Sequence, residues 1–290
     1  MKNKIRPIAW ITGAGSGIGL ALAREYARRG WDLALISRRI EPLQDLAEEL
    51  RLRFPEQRFL IRVIDLMDTH QQRTDMEELV RETGIPNLFL ANAGFGHSMD
   101  PRRPMWENTY RTVMTNLTGT LAGIEFCKEL WIRERLSGHL AIIGSVAGAR
   151  GLPGSAAYSC SKAAREFYCE SVRAPLALCG IRVTLIFPGF VRTPMISRRS
   201  FRPWLLEPEE AARRIAMAIE QERARYVFPF PMRLIFPILR HMPDFLSGLA
   251  KGRQIPSVAK KFLHQQLPEI NKPAGGVRPI IAAASKPTTA

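Results

Sequence analysis

Polar and apolar positions alternate along this chain in blocks. Short apolar runs at 8–11, 33–36, 59–64, 88–90, 140–143, 183–187 and 226–228 are separated by segments long enough to hold a crossover helix. Within each run the apolar residues are nearly continuous, the pattern of strands buried on both faces. Between them, 18–28, 41–53 and 208–222 place apolar residues at three- and four-residue spacing, the last two after Glu-rich starts, and so predict helices. Such alternation predicts an α/β protein: one doubly wound parallel sheet of about seven strands with helices on both faces. No repeat of solenoid period interrupts the pattern.

After Phe228 the alternation stops. Residues 226–250 are apolar but broken by Pro229, Pro231, Pro237 and Pro243, a density that predicts only short helices. Arg233 and Arg240, seven apart, would share one helix face and leave an apolar face opposite. That face would cover a pocket, form an oligomer contact, or dip into a membrane surface through residues 230–250. Residues 273–290 are rich in Pro, Gly, Ala and Thr without an apolar period, which predicts a disordered tail. The expected division is thus a main domain at 1–230, an apolar and basic extension at 231–272, and a tail at 273–290.

Composition narrows the function classes. Of 290 residues, 46% are hydrophobic and 24% charged, enough for a large core. No apolar stretch approaches the length of a spanning helix. The run at 8–11 yields at once to Thr12-Gly13, which is not the pattern of a signal peptide. Four cysteines without a CxxC pair and five scattered histidines argue against structural zinc and disulfides, so no metal is expected. Reduced thiols fit a cytoplasmic protein, with attachment at the periphery of a membrane as the alternative. The net charge is +15, and residues 231–290 hold nine basic and two acidic side chains, +7. An anionic cofactor or anionic lipid would account for that balance; with no nucleic-acid-binding motif, no nucleic-acid partner is expected.

Two stretches carry chemistry. Thr12-Gly13-Ala14-Gly15-Ser16-Gly17-Ile18-Gly19 follows the first strand and opens a helix. Glycines at such a turn let a pyrophosphate approach the backbone, and the unpaired N–H groups of the helix start attract its charge. A Rossmann-type dinucleotide site would place an acid about 20 residues further on, for the ribose 2′-hydroxyl. Here the second strand ends in Ser37-Arg38-Arg39, while Asp32 stands at its other end. Two guanidiniums favour a 2′-phosphate, hence NADP(H); Glu41 nearby keeps an NAD-linked alternative open.

Tyr158 and Lys162 are four apart, one helical turn, and Ser145 precedes them directly after the run at 140–143. A lysine beside a tyrosine favours the phenolate and would bring the phenol into the working range of a general acid/base. A nearby serine hydroxyl would hydrogen-bond the reacting oxygen.

With these motifs in this order, residues 7 to about 230 resemble the short-chain dehydrogenase/reductase family. Thr12, Gly13, Gly17 and Gly19 match its glycine motif. Ala91-Asn92-Ala93-Gly94 matches its Asn-Asn-Ala-Gly motif, with Ala91 departing from the first Asn, a change that bears on local support of that strand rather than on the reacting groups. The resemblance implies a catalytic set of Asn116, Ser145, Tyr158 and Lys162, with Asn116 steadying a water that links Lys162 to solvent. It implies cofactor contacts from Gly13, Ser16, Gly17, Ile18, Gly19, Ser37, Arg38, Arg39, Asn92, Ala93, Gly94, Tyr158 and Lys162. Asp65-Leu66 would serve the adenine, and Pro188, Gly189, Val191 and Thr193 the nicotinamide. It also implies a lid over an apolar carbonyl or alcohol substrate, here Met195, Ile196, Phe201, Pro203 and Trp204; Val146, Ala147 and Leu152 near Ser145 point the same way but read equally as ordinary packing, and His97, within reach of a pocket mouth, reads first as a solvated loop residue. A homodimer or homotetramer would form through the helices holding Asn116 and Tyr158. The implied activity is hydride exchange between NADP(H) and a hydrophobic carbonyl or secondary alcohol. The alternative from another class is a sensor or scaffold that binds NADP(H) without chemistry.

Overall fold

In the computed structural model, which describes residues 6–96, 105–152, 154–195 and 202–242, seven strands form one parallel sheet. They are β1 (Ile8–Thr12), β2 (Asp32–Ser37), β3 (Phe59–Val63), β4 (Leu88–Ala91), β5 (Gly138–Ile143), β6 (Ile181–Pro188) and β7 (Arg225–Phe228), ordered 3-2-1-4-5-6-7. The central strands are the apolar runs of the sequence. Every residue of β1 and β4 is buried, because helices cover both faces. The strand order reverses between β1 and β4, and the crevice beyond their carboxyl ends is where this topology admits a ligand.

The alternation of side chains across the sheet splits the core in two. One face joins Ile11, Leu33 and Leu35 to α1 (Gly17–Arg28), α2 (Glu41–Arg53) and α7 (Pro208–Glu220) through Leu22, Leu46 and Ile215. The other joins Trp10, Phe89 and Leu140 to α3 (Thr69–Thr83), α5 (Gly119–Arg133) and α6 (Ala156–Leu178) through Met76, Trp131 and Cys169. Trp10 and Trp131 satisfy their indole N–H groups inside, on Thr83 Oγ1 (3.2 Å) and the Pro86 carbonyl (2.6 Å). Burying each such side chain contributes about 2–3 kcal/mol.

Helix ends follow local chemistry. Asp68 caps α3 by accepting from the Gln71 amide at 3.0 Å, and α2 carries Pro42 in its first turn, where no donor is needed. Before α5 the chain makes α4 (Trp106–Val113) and a single π turn, Met114–Thr118. Helix α7 stops at Glu220 rather than 222, since Glu222 enters the left-handed region at φ 52° and the Arg223 amide closes back on the Ala218 carbonyl.

The proline-rich segment differs from expectation. Helix α8 (Phe230–His241) runs for 12 residues, with Pro231 in its first turn and Pro237 inside. Its burial explains this: Met232 and Phe236 pack on the sheet, Phe236 lying 4.8 Å from the Phe187 ring, and this packing offsets the donor lost at Pro237. Arg233 and Arg240, seven apart on α8, fall on one helix face as expected, and the Arg240 guanidinium pairs with Glu166. Helix α8 packs with the strands, Phe236 joining the core face that holds Phe187. The expected tail at 273–290 lies outside the described residues. No described helix is long and apolar enough to cross a membrane, and no described cluster of His, Cys, Asp and Glu could hold a metal.

Candidate active site

The glycine turn and the end of β4 are built as one piece. Thr12 Oγ1 donates to the Leu90 carbonyl (3.2 Å) and accepts from the amides of Asn92 (3.1 Å) and Ala93 (3.0 Å). The Asn92 amide nitrogen donates to the carbonyls of Thr12 (3.0 Å) and Gly13 (3.4 Å), so this side chain braces the turn. Gly13 needs its φ of 71° for that turn, and its amide and that of Ala14 donate to the Ile36 carbonyl. The next residues leave open donors. Ser16, exposed, makes no side-chain cap at the start of α1, so the first amides of that helix, Gly17, Ile18 and Gly19, are not claimed by a capping side chain. Thr193 closes over them: its Cγ2 lies where a Cβ on Gly17 would approach to 2.9 Å.

At the tip of β2, Ser37 lies against Gly15, and Arg38 and Arg39 are exposed with no ion-pair partner among the described residues. Arg38 stacks over the Phe95 ring at 5.8 Å. Asp32 is spent elsewhere, accepting from the Arg58 amide and guanidinium at 3.0 and 2.9 Å. Asp65 and Leu66 come just past β3. One Asp65 oxygen accepts from the Met67 amide, while Leu66 is buried where α5 begins at Gly119.

The second group gathers beyond β4, β5 and β6. Ser145 follows β5 and caps a short 3₁₀ turn, Val146–Gly148, its Oγ accepting from the Ala147 amide at 3.1 Å. Tyr158 and Lys162 occupy the first turns of α6, and the Ser145 side chain is close enough to the phenol to favour its ionised form. Lys162 is buried, with Nζ 2.9 Å from the Ile143 carbonyl and 5.6 Å from the Tyr158 ring centre. Gly94 lies against both Lys162 Nζ and Asn116 Oδ1, and Gly96 against the Tyr158 ring. Asn116, fully buried in the π turn, accepts from the Phe95 amide (2.9 Å) and donates to the Phe95 carbonyl (2.7 Å) and Ser161 Oγ (3.3 Å). Its side chain thus fixes the loop after β4. A π turn inside a helix is a recurrent mark of functional positions. The Pro188-Gly189 turn is backed by Pro229 and Met232, and Val191 bridges to Leu206.

Burial pushes the Tyr158 phenol above its ordinary value, opposed by the Ser145 side chain and by Arg165. Lys162 is itself pushed well below the usual ammonium range, by burial and then by Arg165.

A family model for short chain dehydrogenases matches residues 7–202. The chain belongs to the short-chain dehydrogenase family. An uncharacterized oxidoreductase of Mycobacterium tuberculosis is 35% identical to this short-chain dehydrogenase over 222 residues, 76% of this chain and 87% of that one. Among solved structures, a short-chain dehydrogenase/reductase from Burkholderia phymatum in complex with NAD has a TM-score of 0.75 at 23% identity, covering 85% of this chain and 97% of its own. One from Sphingobium yanoikuyae in complex with NADPH has a TM-score of 0.70 at 23% identity, covering 96% and 99%. These two share the fold of this short-chain dehydrogenase while carrying different dinucleotides.

The structure thus brings Ser145, Tyr158, Lys162, Asn116 and Gly94 together, with the glycine turn beside them through Asn92. Of the expected lid, Met195 and Trp204 are exposed and Pro203 half-buried, while Ile196, Phe201 and also His97 lie outside the described residues. Ala147 is buried, Val146 packs at the edge of the core, and Leu152 is exposed. Sequence reasoning missed Arg165, Phe95 and Gly96. The signal for Arg165 was its phase: positions 158, 162, 165 and 169 form one stripe of α6, and Lys162, Arg165 and Cys169 are buried.

Proposed function

We propose that this short-chain dehydrogenase is an NADP(H)-dependent oxidoreductase acting on a carbonyl or secondary alcohol of a hydrophobic substrate, with Tyr158 as general acid/base. The observation that carries the reading is the convergence of the Ser145 hydroxyl, the Tyr158 phenol and the buried Lys162 beyond the sheet's carboxyl edge, next to a glycine turn with uncapped donors. The donor set fits a dinucleotide: Gly13, Ser16, Gly17, Ile18 and Gly19 would hold the pyrophosphate, Ser37, Arg38 and Arg39 the 2′-phosphate, Asp65 and Leu66 the adenine. Ala93, Gly94, Pro188, Gly189, Val191 and Thr193 would border the nicotinamide.

Bound there, the dinucleotide would supply or accept the hydride. In the reducing direction Tyr158 gives its phenolic proton to the substrate oxygen as that oxygen becomes negative, and Ser145 holds the same oxygen by hydrogen bond. Lys162, resting on the Ile143 carbonyl, would turn to the nicotinamide ribose hydroxyls, and Asn116 keeps the loop of Phe95 in register beside it. A phenol raised by burial is protonated in the resting protein, ready as the acid. The exposed apolar side chains of Met195 and Trp204 support an apolar substrate.

The test combines Tyr158→Phe with a panel of ketones, aldehydes, acyl thioesters and steroids followed by NADPH oxidation. Turnover should fall by at least about 10³-fold, with NADPH binding, read by its fluorescence, unchanged within about twofold. Turnover retained in the variant would remove Tyr158 from the chemistry. NADPH binding without turnover of any panel member in the parent protein would favour the sensor reading.

A further inference from the structure

The backbone that runs from the end of β4 into the site has left the sheet's ladder while it is still partly buried. Ala91 ends the strand, Gly94 lies against Lys162 Nζ and Asn116 Oδ1, and Gly96 lies against the Tyr158 ring. Polar groups of such a segment need partners from elsewhere in the fold. Three side chains from three elements supply them. Thr12 of β1 accepts from the amides of Asn92 and Ala93 and donates to the Leu90 carbonyl. Asn116 of the π turn accepts from the Phe95 amide and donates to the Phe95 carbonyl. The third is Arg165 on α6, three residues after Lys162 and 0% exposed. Its Nη2 donates to the Ala91 carbonyl at 2.6 Å and its Nη1 to the Ala93 carbonyl at 3.4 Å.

No carboxylate among the described residues forms an ion pair with Arg165. The neighbouring acid, Glu166, is taken by Arg225 (2.7 Å) and Arg240. The guanidinium is therefore turned to the two carbonyls, and its chemistry suits them. Its planar fork reaches both at once, and it is more weakly hydrated than an ammonium and so less costly to bury. Burial brings it down to about 10, which still leaves it charged at neutral pH, and a charged donor makes the stronger hydrogen bond. Ala91 has no side-chain donor of its own. An apolar side chain at 165 would leave both carbonyls without this donor, a loss that loosens the segment they belong to.

We propose that Arg165 is a positioning residue: it ties the backbone of residues 91–94 to α6 and so sets where the nicotinamide half of the dinucleotide seats against Tyr158 and Lys162. The role rests on the reading above, in which Ala93 and Gly94 border the nicotinamide.

The experiment uses the full chain and two readouts. Amide hydrogen exchange, followed by mass spectrometry without ligand, compares the peptide covering 88–96 with those covering β1 and β5 on either side. In Arg165→Met, exchange in 91–96 should quicken at least about tenfold while the flanking strands keep the parent's rates. Arg165→Lys, which returns a charged donor, should recover most of that protection. The second readout is the affinity for NADPH and for NADH, titrated by their fluorescence. The nicotinamide end is common to both, so Arg165→Met should weaken the two alike, by about tenfold, and Arg165→Lys should bring both within about threefold of the parent. Exchange quickened across the whole sheet, or unchanged in 91–96, would overturn the proposal and leave Arg165 a core residue of no special place. Local quickening with unchanged affinities, or a loss confined to NADPH, would overturn it as well. If Arg165→Met does not fold, Arg165→Gln, with one neutral donor, carries the same comparison. A parent protein that binds neither dinucleotide would remove the functional reading and this role with it, whereas a parent that binds both and is indifferent to Arg165→Met would remove the role alone.

Discussion

Gly19 has no room for a methyl group. A Cβ there would lie 2.1 Å from the Gly13 carbonyl and 2.6 Å from the Asn92 amide nitrogen, so Gly19→Ala must lift α1 from the turn that it closes. We expect a loss of about 1–3 kcal/mol in urea unfolding and at least a tenfold weaker NADPH affinity by fluorescence titration. His139 sets a different kind of limit. Burial, then repulsion from Arg182, depresses its imidazole from 6.5 to about 4, while Nε2 hydrogen-bonds Thr184 Oγ1 at 2.8 Å. Between those two values the unfolded chain binds a proton that the folded chain does not. Stability therefore falls as pH drops from 6.5 toward 4. Discounted for the ring's partial exposure, the loss is on the order of 2 kcal/mol. His139→Asn should flatten that part of a stability curve measured from pH 7 to 4. Glycine spacing marked Gly19 in the chain, but His139 reads as one of five scattered histidines until β5 and β6 enclose it.

At the scale of elements, each strand end presents a different part of the site. The tip of β2 presents Arg38 and Arg39, exposed and without carboxylate partners among the described residues. Replacing both by Ala should lower NADPH affinity by at least about 30-fold, two charge-assisted contacts' worth, and leave NADH affinity within about threefold. Equal loss for both dinucleotides in the same titration would count against the cofactor assignment. The runs that became β1, β2, β4, β5 and β6 were legible because strands buried on both faces leave continuous apolar stretches. The helix at α8 was legible, but its continuity through Pro237 was not, since the packing of Met232 and Phe236 on the sheet outweighs what Pro237 removes, and that gain is invisible in a linear pattern. The π turn around Asn116 escaped for a related reason: its register is set by Phe95, 21 residues away.

Across the whole molecule, two features follow from assembly. Glu166 on α6, exposed by only 2%, receives Arg225 from β7 and Arg240 from α8, and so ties the last strand and helix to the body of the sheet. Glu166→Ala should cost about 3–5 kcal/mol in chemical unfolding, because two guanidiniums lose their counter-charge. The second feature is a pair of exposed aromatic positions, Trp106 at 73% on α4 and Phe167 at 59% on α6, on the helix segments leading to Asn116 and following Tyr158. We propose these helices as the self-association surface. Phe167→Glu should shift the molar mass seen by light scattering toward that of one chain, and an unchanged mass would place any association elsewhere.

The amino-acid order alone determined what depends on local geometry: the strands, from apolar continuity; the glycine turn, from backbone sterics at Gly13 and Gly19; and the shared face of Tyr158 and Lys162, from the helical period. Tertiary structure decided which charges are buried and what they meet. Seen along the chain, Arg165-Glu166 is an ordinary polar pair. Only folding buries both, sends the acid to Arg225 and Arg240, and leaves the guanidinium on the carbonyls of Ala91 and Ala93. Desolvation and Coulomb energies depend on neighbours brought from distant parts of the chain, and no short-range pattern records them.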